Sequence, residues 1–274
     1  MSSITSDANF SDLVPEYYDR EMGPVFFESH AVAMADRLPV SPGMQVLEIA
    51  AGTGWVTRHL LERLPADGKL TVSDLHPDML AIAQQTIDDP RIEWEQADAL
   101  ALPFADNRFD VVVCQFGSMF YPDKVEGHRE AFRVLKPGGI YLVTTWCSHQ
   151  ENLWAKTIHA KMADVFPDDP PLFMRKPFSY CDQEALGADL VEAGFEETAM
   201  ETVPHELVIE DLPKTLRGML LGSPLGAAIA ERNGDVTEIG KLIAQDFKEF
   251  GGESPHRSIK TALFVSARKP KHHA

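Results

Sequence analysis

The 274-residue chain is short of cysteine, of positive charge and of long apolar runs. Its three cysteines, Cys114, Cys147 and Cys181, lie far apart and form no C-x-x-C pair. An odd, sparse count builds neither a disulfide framework nor a zinc-type metal site and suits a reducing compartment, so a cytoplasmic location is expected. Against 42 Asp and Glu there are 25 Lys and Arg, a formal net charge of -17. That field repels polyanions. The one basic cluster, Arg268-Lys269-Pro270-Lys271, is short and reads as a frayed tail. Neither nucleic acid nor an anionic membrane is expected as a partner. No apolar stretch approaches the ~20 residues that span a bilayer, so membrane insertion is not expected. The opening Met1-Ser2-Ser3-Ile4-Thr5-Ser6-Asp7 lacks a basic start and an apolar core and does not read as a signal peptide. There is no internal repeat and no low-complexity tract.

What the chain does have is rhythm. Phe26, Phe27, Ala31, Met34 and Leu38 are spaced for one face of a helix over 26–38. Strands are then expected at 44–50, 69–74, 91–97, 109–114 and 140–146. Between them lie helices over 55–64, from Pro77 onward, and over 123–135, the last closed by Lys136-Pro137-Gly138-Gly139. Phe109-Asp110-Val111-Val112-Val113-Cys114 is nearly continuous in apolar residues, as in a strand covered on both faces. Strict alternation of strand and helix argues for an α/β, doubly wound, mostly parallel sheet. Beyond 146 the rhythm changes: helices are expected at 151–166, 183–193, 212–232 and 236–250, with strands at 197–209 and 259–267. The expected organisation is an N-terminal lid over 1–43, a ligand-binding core over 44–150, a region completing the sheet over 151–257, and a last strand and tail over 258–274. Insertions at about 147–180 and 211–257 would cover the ligand edge and form the substrate side.

The chemistry gathers at strand ends. Gln45 to Thr57 reads as a buried strand, a glycine turn and a helix start. Gly52 and Gly54 permit a tight turn and close approach of a ligand to the backbone. A dinucleotide fingerprint needs a small third residue where Thr57 stands, so it fails there. Glu48, four residues before Gly52, is placed to orient a cationic amino group; the plain alternative is an exposed Glu beside an ordinary turn. Asp74 ends the second strand, where such sites put a ribose-binding carboxylate, although a helix-start Asp reads the same way. Asp98 follows the third strand and is placed to accept from an adenine amino group, with Leu75, Met79 and Leu100 as apolar faces for the ring. Gln115, Phe116 and the residues to Asp123 follow the fourth.

Taken in order, Glu48-Ile49-Ala50-Ala51-Gly52-Thr53-Gly54, Asp98 with Leu102-Pro103-Phe104, Phe109-Asp110-Val111-Val112 and Leu135-Lys136-Pro137-Gly138-Gly139 resemble class I S-adenosylmethionine-dependent methyltransferases. They look most like the small-molecule branch that includes the ubiquinone/menaquinone-biosynthesis type. The resemblance covers about 44–146 well, and Tyr17-Tyr18-Asp19 and the final strand more loosely. It implies a Rossmann-like methyltransferase fold of seven strands with helical cap insertions. It implies S-adenosylmethionine as cofactor, S-adenosylhomocysteine as product and a small-molecule acceptor. Carried over residue by residue, it implies that Gly52 and Gly54 flank the methionine part, with Glu48 near its ammonium and Tyr18 reaching its carboxylate. Asp74 then holds the ribose, Asp98 and Ala99 the adenine edge, and Gln115 and Phe116 lie beside the sulfonium. Two departures stand out: Ala50 occupies a position more often glycine, and so does Gln96-Ala97 before Asp98.

A sulfonium methyl is already activated, so the enzyme must align a nucleophile with the S–CH3 bond and exclude water. A base is needed only where the nucleophile must lose a proton. His149, just after the fifth strand, is the candidate; His30, His76 and Tyr17 are weaker ones. Trp146, Trp154, Phe173 and Met219 are candidates for an apolar acceptor pocket, with plain core packing as the alternative for each. Cys114, in a buried strand, is expected to be inert. Two other functions fit parts of the pattern. One is a nicotinamide-dependent oxidoreductase, opposed by Thr57 and by the Lys136-Pro137-Gly138-Gly139 turn. The other is a non-catalytic protein that binds S-adenosylmethionine. The acceptor, the atom methylated and the oligomeric state have no signature in the sequence.

Overall fold

The structure, a computed structural model, describes residues 14–252 and 254–271. It begins with α1 (Val14–Tyr17), a π-helical stretch (Tyr18–Phe27) and α2 (Glu28–Ala35). The single helix expected over 26–38 is therefore corrected: its first two residues end the π-helix, and α2 is one short α-helix. Pro24 lies inside the π-helical stretch. It has no N–H to donate, and its ring would collide with an α-helical carbonyl one turn earlier; the wider winding accommodates it. Phe26, Phe27, Ala31 and Met34 are buried all the same.

Next come β1 (Gln45–Glu48), α3 (Trp55–Arg63), β2 (Lys69–Asp74), α4 (Pro77–Thr86), β3 (Ile92–Gln96), β4 (Phe109–Gln115), α5 (Lys124–Val134) and β5 (Leu135–Trp146). Pro77 opens α4, where its missing N–H costs nothing. Asp123 caps α5 by accepting from the Glu126 N–H at 2.9 Å. All five strands pair in parallel. Val46, Leu47, Leu70, Val72, Val112 and Val113 are buried, as strands covered on both faces require. β5 starts earlier than expected, directly after α5. Its register slips between the Phe109–Leu135 and Val111–Ile140 pairs, so Lys136-Pro137-Gly138-Gly139 forms an irregularity within the strand, with Gly138 at φ +81°, rather than a turn before it.

The chain then adds α6 (Leu153–Val165), α7 (Gln183–Glu192), β6 (Glu196–Ile209), α8 (Leu212–Leu221), α9 (Leu225–Glu231), α10 (Val236–Gly251) and β7 (His256–Arg268). The one helix expected over 212–232 is two. Gly222-Ser223-Pro224 breaks it: the Ser223 hydroxyl donates to the Met219 carbonyl at 2.8 Å, and Pro224 restarts the chain as the N-cap of α9. The seven strands order as β3-β2-β1-β4-β5-β7-β6, with β7 antiparallel to both neighbours. The order reverses at β1, which lies between β2 and β4. At such a switch point the connections leave in opposite directions and open a crevice beyond the strands' carboxyl ends.

The basic cluster at the end of β7 is not frayed. Arg268 donates to the Gly138 carbonyl at 2.9 Å. Lys269 is 3% exposed, and its Nζ donates to the carbonyls of Phe132 (2.8 Å) and Leu135 (2.7 Å) and to Asn107 Oδ1 (2.9 Å). A lysine so placed satisfies carbonyls left over at the C-terminus of α5. Among the described residues no helix is long and apolar enough to cross a membrane.

Candidate functional site

A cavity of about 520 Å³ opens at the carboxyl ends of the parallel strands. One half of it is built by the turns after β1, β2 and β3. Ala50 and Gly52 both lie in the left-handed region, at φ +54° and +57°. Glycine adopts that conformation freely and alanine at a cost, which is the physical meaning of the departure at Ala50. The turn is held by a carboxylate: Asp74 accepts from the Gly52 N–H through Oδ2 and from the His76 N–H through Oδ1, each at 2.8 Å. Asp74 is 7% exposed. Burial raises its carboxyl above the usual range, and those two N–H groups, with His76, oppose the rise. Leu75, His76, Met79, Asp98, Ala99 and Leu100 continue this wall. Asp98 keeps its place by accepting from the Leu100 N–H at 2.9 Å. Tyr18, from the π-helix, stands over Gly52 and stacks on Phe27 with ring centres 4.7 Å apart.

Glu48 does not line this cavity. It borders a smaller one of about 20 Å³ that shares Tyr18, Phe27, Ala50, Gln115 and Phe116 with the larger. Its carboxyl is 1% exposed and accepts from the Thr57 hydroxyl at 2.7 Å. Burial pushes it up to about 8, against the Thr57 hydrogen bond and Arg58; the charge of Asp74 adds to the rise. Gln115 Oε1, nearby, is buried and has no hydrogen-bond partner among the described residues. Gly54 lies outside both cavities. It is the N-cap of α3 at φ +84°, and a Cβ there would come within 2.7 Å of Ile87 Cδ1 and 3.2 Å of Ala83 Cβ. Its need for glycine comes from close packing against α4.

At the end of β4, Phe116 adopts φ +56°, a strained conformation for a bulky residue. There it lies flat on Trp146, with ring centres 4.0 Å apart and planes 5° from parallel. The other half of the cavity is aromatic. Trp146, Trp154, Phe173 and Met219 all line it. Phe26 and Phe178 pack on Trp154 at 4.6 Å and 5.5 Å between ring centres. Sequence reasoning did not single out Lys176 or Ser223, which also line it. Ser223 sits in the Gly-Ser-Pro break, which was a readable signal; Lys176 had none.

His149 is not at the cavity. Its Nε2 lies 2.9 Å from the Met174 carbonyl, and its ring packs on Phe178 and His159. It points into the backbone beneath the wall rather than through it. His30 is fully buried against Phe116, Trp146 and His205. Burial, with the charges of Lys260 and His205, pushes it down to about 2. Of the histidines considered, only His76 lines the cavity, beside Asp74; Tyr17 does not. Cys114 is buried with its Sγ 3.4 Å from the Tyr121 hydroxyl, and burial raises its thiol.

The residues fit an amino-acid-bearing sulfonium nucleoside. The Asp74 carboxylate would suit a diol, the apolar wall from Leu75 to Leu100 a base, and the buried Glu48 carboxyl with the orphaned Gln115 oxygen an ammonium. Residues 46–139 match the family model of a methyltransferase domain. The ubiquinone/menaquinone biosynthesis C-methyltransferase of Shewanella woodyi is 33% identical over 181 residues, which is 61% of this chain and 72% of that protein. The enzyme of the same name from Ectopseudomonas mendocina is 33% identical over 183 residues, 62% of this chain and 72% of that protein. The chain belongs to the class I S-adenosylmethionine-dependent methyltransferases. Solved structures show the same fold. Phosphoethanolamine N-methyltransferase 2 of Haemonchus contortus, in complex with S-adenosyl-L-methionine, superposes with a TM-score of 0.60 at 18% identity, covering 93% of this chain and 56% of that one. A methyltransferase from Aquifex aeolicus gives 0.52 at 16% identity, covering 93% and 96%. This methyltransferase takes its methyl group from S-adenosylmethionine and passes it to a small molecule. The expected fold, the family and the cofactor all hold, and the nicotinamide alternative is set aside.

Proposed function

We propose that the acceptor is a flat, largely apolar aromatic ring, and that the protein acts on it by orientation and desolvation rather than through a side-chain base. The carrying observation is the composition of the cavity's far half. Its described lining is mostly aromatic and thioether side chains, joined by Lys176 and Ser223, with no histidine and no carboxylate; the acids Asp74 and Asp98 lie on the wall built by the turns after β1, β2 and β3. Flat rings pack well on faces such as Phe116, Trp146 and Trp154. The named role of the relatives, C-methylation in ubiquinone and menaquinone biosynthesis, supports a ring carbon as the atom methylated.

The donor side is assigned to Tyr18, Glu48, Ala50, Gly52, Asp74, Leu75, Met79, Asp98, Ala99, Gln115 and Phe116, with Gly54 shaping the turn from behind. When bound, the cofactor supplies a methyl group on a positive sulfur, ready for displacement. Asp74 and Glu48 fix the two ends, so that the donor presents one face to the aromatic half. Phe116, held flat on Trp146, sets the boundary between the halves. Segments from 147–180 and 211–257 supply the acceptor walls through Trp154, Phe173, Phe178 and Met219. Proximity and alignment of this kind are worth ~7–11 kcal/mol in favourable cases. An electron-rich ring carbon attacks without prior proton loss, and its ring proton leaves afterwards to water.

Methyl-tritiated S-adenosylmethionine offered with two acceptor sets tests this. One set holds hydroquinones, catechols and naphthols; the other holds aliphatic amines and alcohols. The expected result is label carried into the aromatic set. Label carried only into the aliphatic set would contradict it.

A further inference from the structure

The cavity has a charge axis. Its two carboxylates, Asp74 and Asp98, lie in the nucleoside half, whereas Lys176 is the one lysine or arginine in its described lining. Lys176 belongs to the short 3-10 turn over Phe173–Phe178, the segment that also contributes Phe173, Met174 and Phe178 to the wall. Its Nζ stands 5.9 Å from the centre of the Phe120 ring, which itself faces the cavity. Among the described residues no carboxylate pairs with it, although the chain holds 42 acids against 25 bases.

A second ammonium stands close by. Lys124 is fixed: its Nζ donates to the carbonyls of Met119 and Tyr121 at 2.8 Å and 2.7 Å and lies 5.0 Å from the Tyr180 ring centre. Burial first, and then the charge of Lys176, push Lys124 down to about 8, with Asp189 pulling the other way. Two ammonium groups thus repel each other beside the acceptor half, one tethered to two carbonyls and the other, over the Phe120 ring, with no carboxylate partner among the described residues. An anion at that edge would relieve the repulsion. It would also be kept from the nucleoside half by Asp74 and Asp98, and drawn to Lys176 against a protein field of -17.

We infer that the acceptor ring carries a group ionised at neutral pH, such as a carboxylate, and that Lys176 binds it and so sets which end of the ring faces the donor. This rests on the aromatic-acceptor reading above. The charge fixes orientation as well as affinity: with the anion at Lys176, the opposite edge of the ring is presented to Phe116 and Gln115.

The test uses 2-naphthoate and its neutral isostere 2-naphthamide, titrated by calorimetry into the full chain loaded with S-adenosylhomocysteine. Wild type is expected to bind the naphthoate about tenfold more tightly, a margin of the size of one charge-assisted hydrogen bond, and that margin should shrink with added salt. Lys176→Met should bring the two probes to within about twofold, Lys176→Glu should invert the order, and Lys176→Arg should keep most of the preference. Affinity for S-adenosylhomocysteine, measured in the same preparations, should be unchanged in all three and reports that each is folded. Equal affinity of wild type for the two probes, or a preference kept by Lys176→Met, overturns the inference while leaving the aromatic acceptor standing. Failure of both probes to bind wild type overturns the aromatic-acceptor reading and this inference with it.

Discussion

The Thr57 hydroxyl donates to the buried carboxyl of Glu48 across 2.7 Å. Thr57 stands where a dinucleotide-binding turn would have its third small residue, and it is fully buried. The position is thus occupied by a group that holds an acid in place instead of one that lets a helix approach a pyrophosphate.

Glu48 makes cofactor binding depend on pH. In the free protein burial raises it to about 8, so at pH 7 it is mostly protonated. A cation beside it favours the carboxylate and lowers its titration. Binding of S-adenosylmethionine at pH 7 should therefore release close to one proton, and affinity should rise with pH and level off above about 8. Calorimetry in buffers of different ionisation enthalpy measures this, and Glu48→Gln should abolish the release. The same shift acts on stability with a fixed sign. The folded state holds the proton more tightly than the unfolded chain, so stability falls as pH rises from the ordinary carboxylate range to about 8. Glu48→Gln should flatten that fall.

Gly52 and Gly54 should part company. Gly52→Ala places a methyl on the cavity floor at φ +57°, with Tyr18 no nearer than 3.8 Å. Its stability cost should be about 1–2 kcal/mol, the left-handed penalty alone, while donor affinity falls. Gly54→Ala adds a collision with Ile87 and Ala83 and should cost roughly 2–4 kcal/mol, with little change in the affinity of the protein that remains folded. Urea unfolding alongside donor titration separates the two. Equal effects on both quantities would mean that both glycines face the ligand.

His149→Ala should leave the pH profile of kcat in place. The ring reaches the Met174 carbonyl, not the cavity, so its loss should appear as about 1 kcal/mol of stability and, through the Met174 turn, a modest rise in acceptor KM. A hundredfold fall in kcat with loss of one limb of the profile would restore it as a base.

The sheet was legible because its signals are local. The apolar runs of β1, β2 and β4 and the punctuation at Pro77 and Gly52 each act within a few residues. Asp74 was legible for the same reason: a carboxylate at a strand end has few places to go. The position of His149 was not, since it depends on a turn at Met174, 25 residues on. The left-handed backbone of Phe116 was equally hidden, because what holds a bulky residue there comes from elsewhere in the chain: stacking on Trp146, a hydrogen bond from its N–H to the Thr144 carbonyl and packing against Phe27 and His30. The π-helix carried one sign, Pro24, and amphipathic spacing at Phe26 and Phe27 concealed it. The break at Gly222-Ser223-Pro224 was written plainly, and apolar periodicity on either side overrode it.

The central claim is that the crevice beyond β1, β2 and β4 is the methyl-donor site, with Asp74 as its ribose ligand. Calorimetric titration of S-adenosylmethionine and of NAD into wild type and Asp74→Ala tests it most directly. One S-adenosylmethionine should bind per chain, and NAD should not bind. Asp74→Ala should lose ~1–3 kcal/mol of that affinity, part of it through the Gly52 turn that the carboxylate holds. Binding of NAD without S-adenosylmethionine, or an Asp74→Ala affinity equal to wild type, would contradict it.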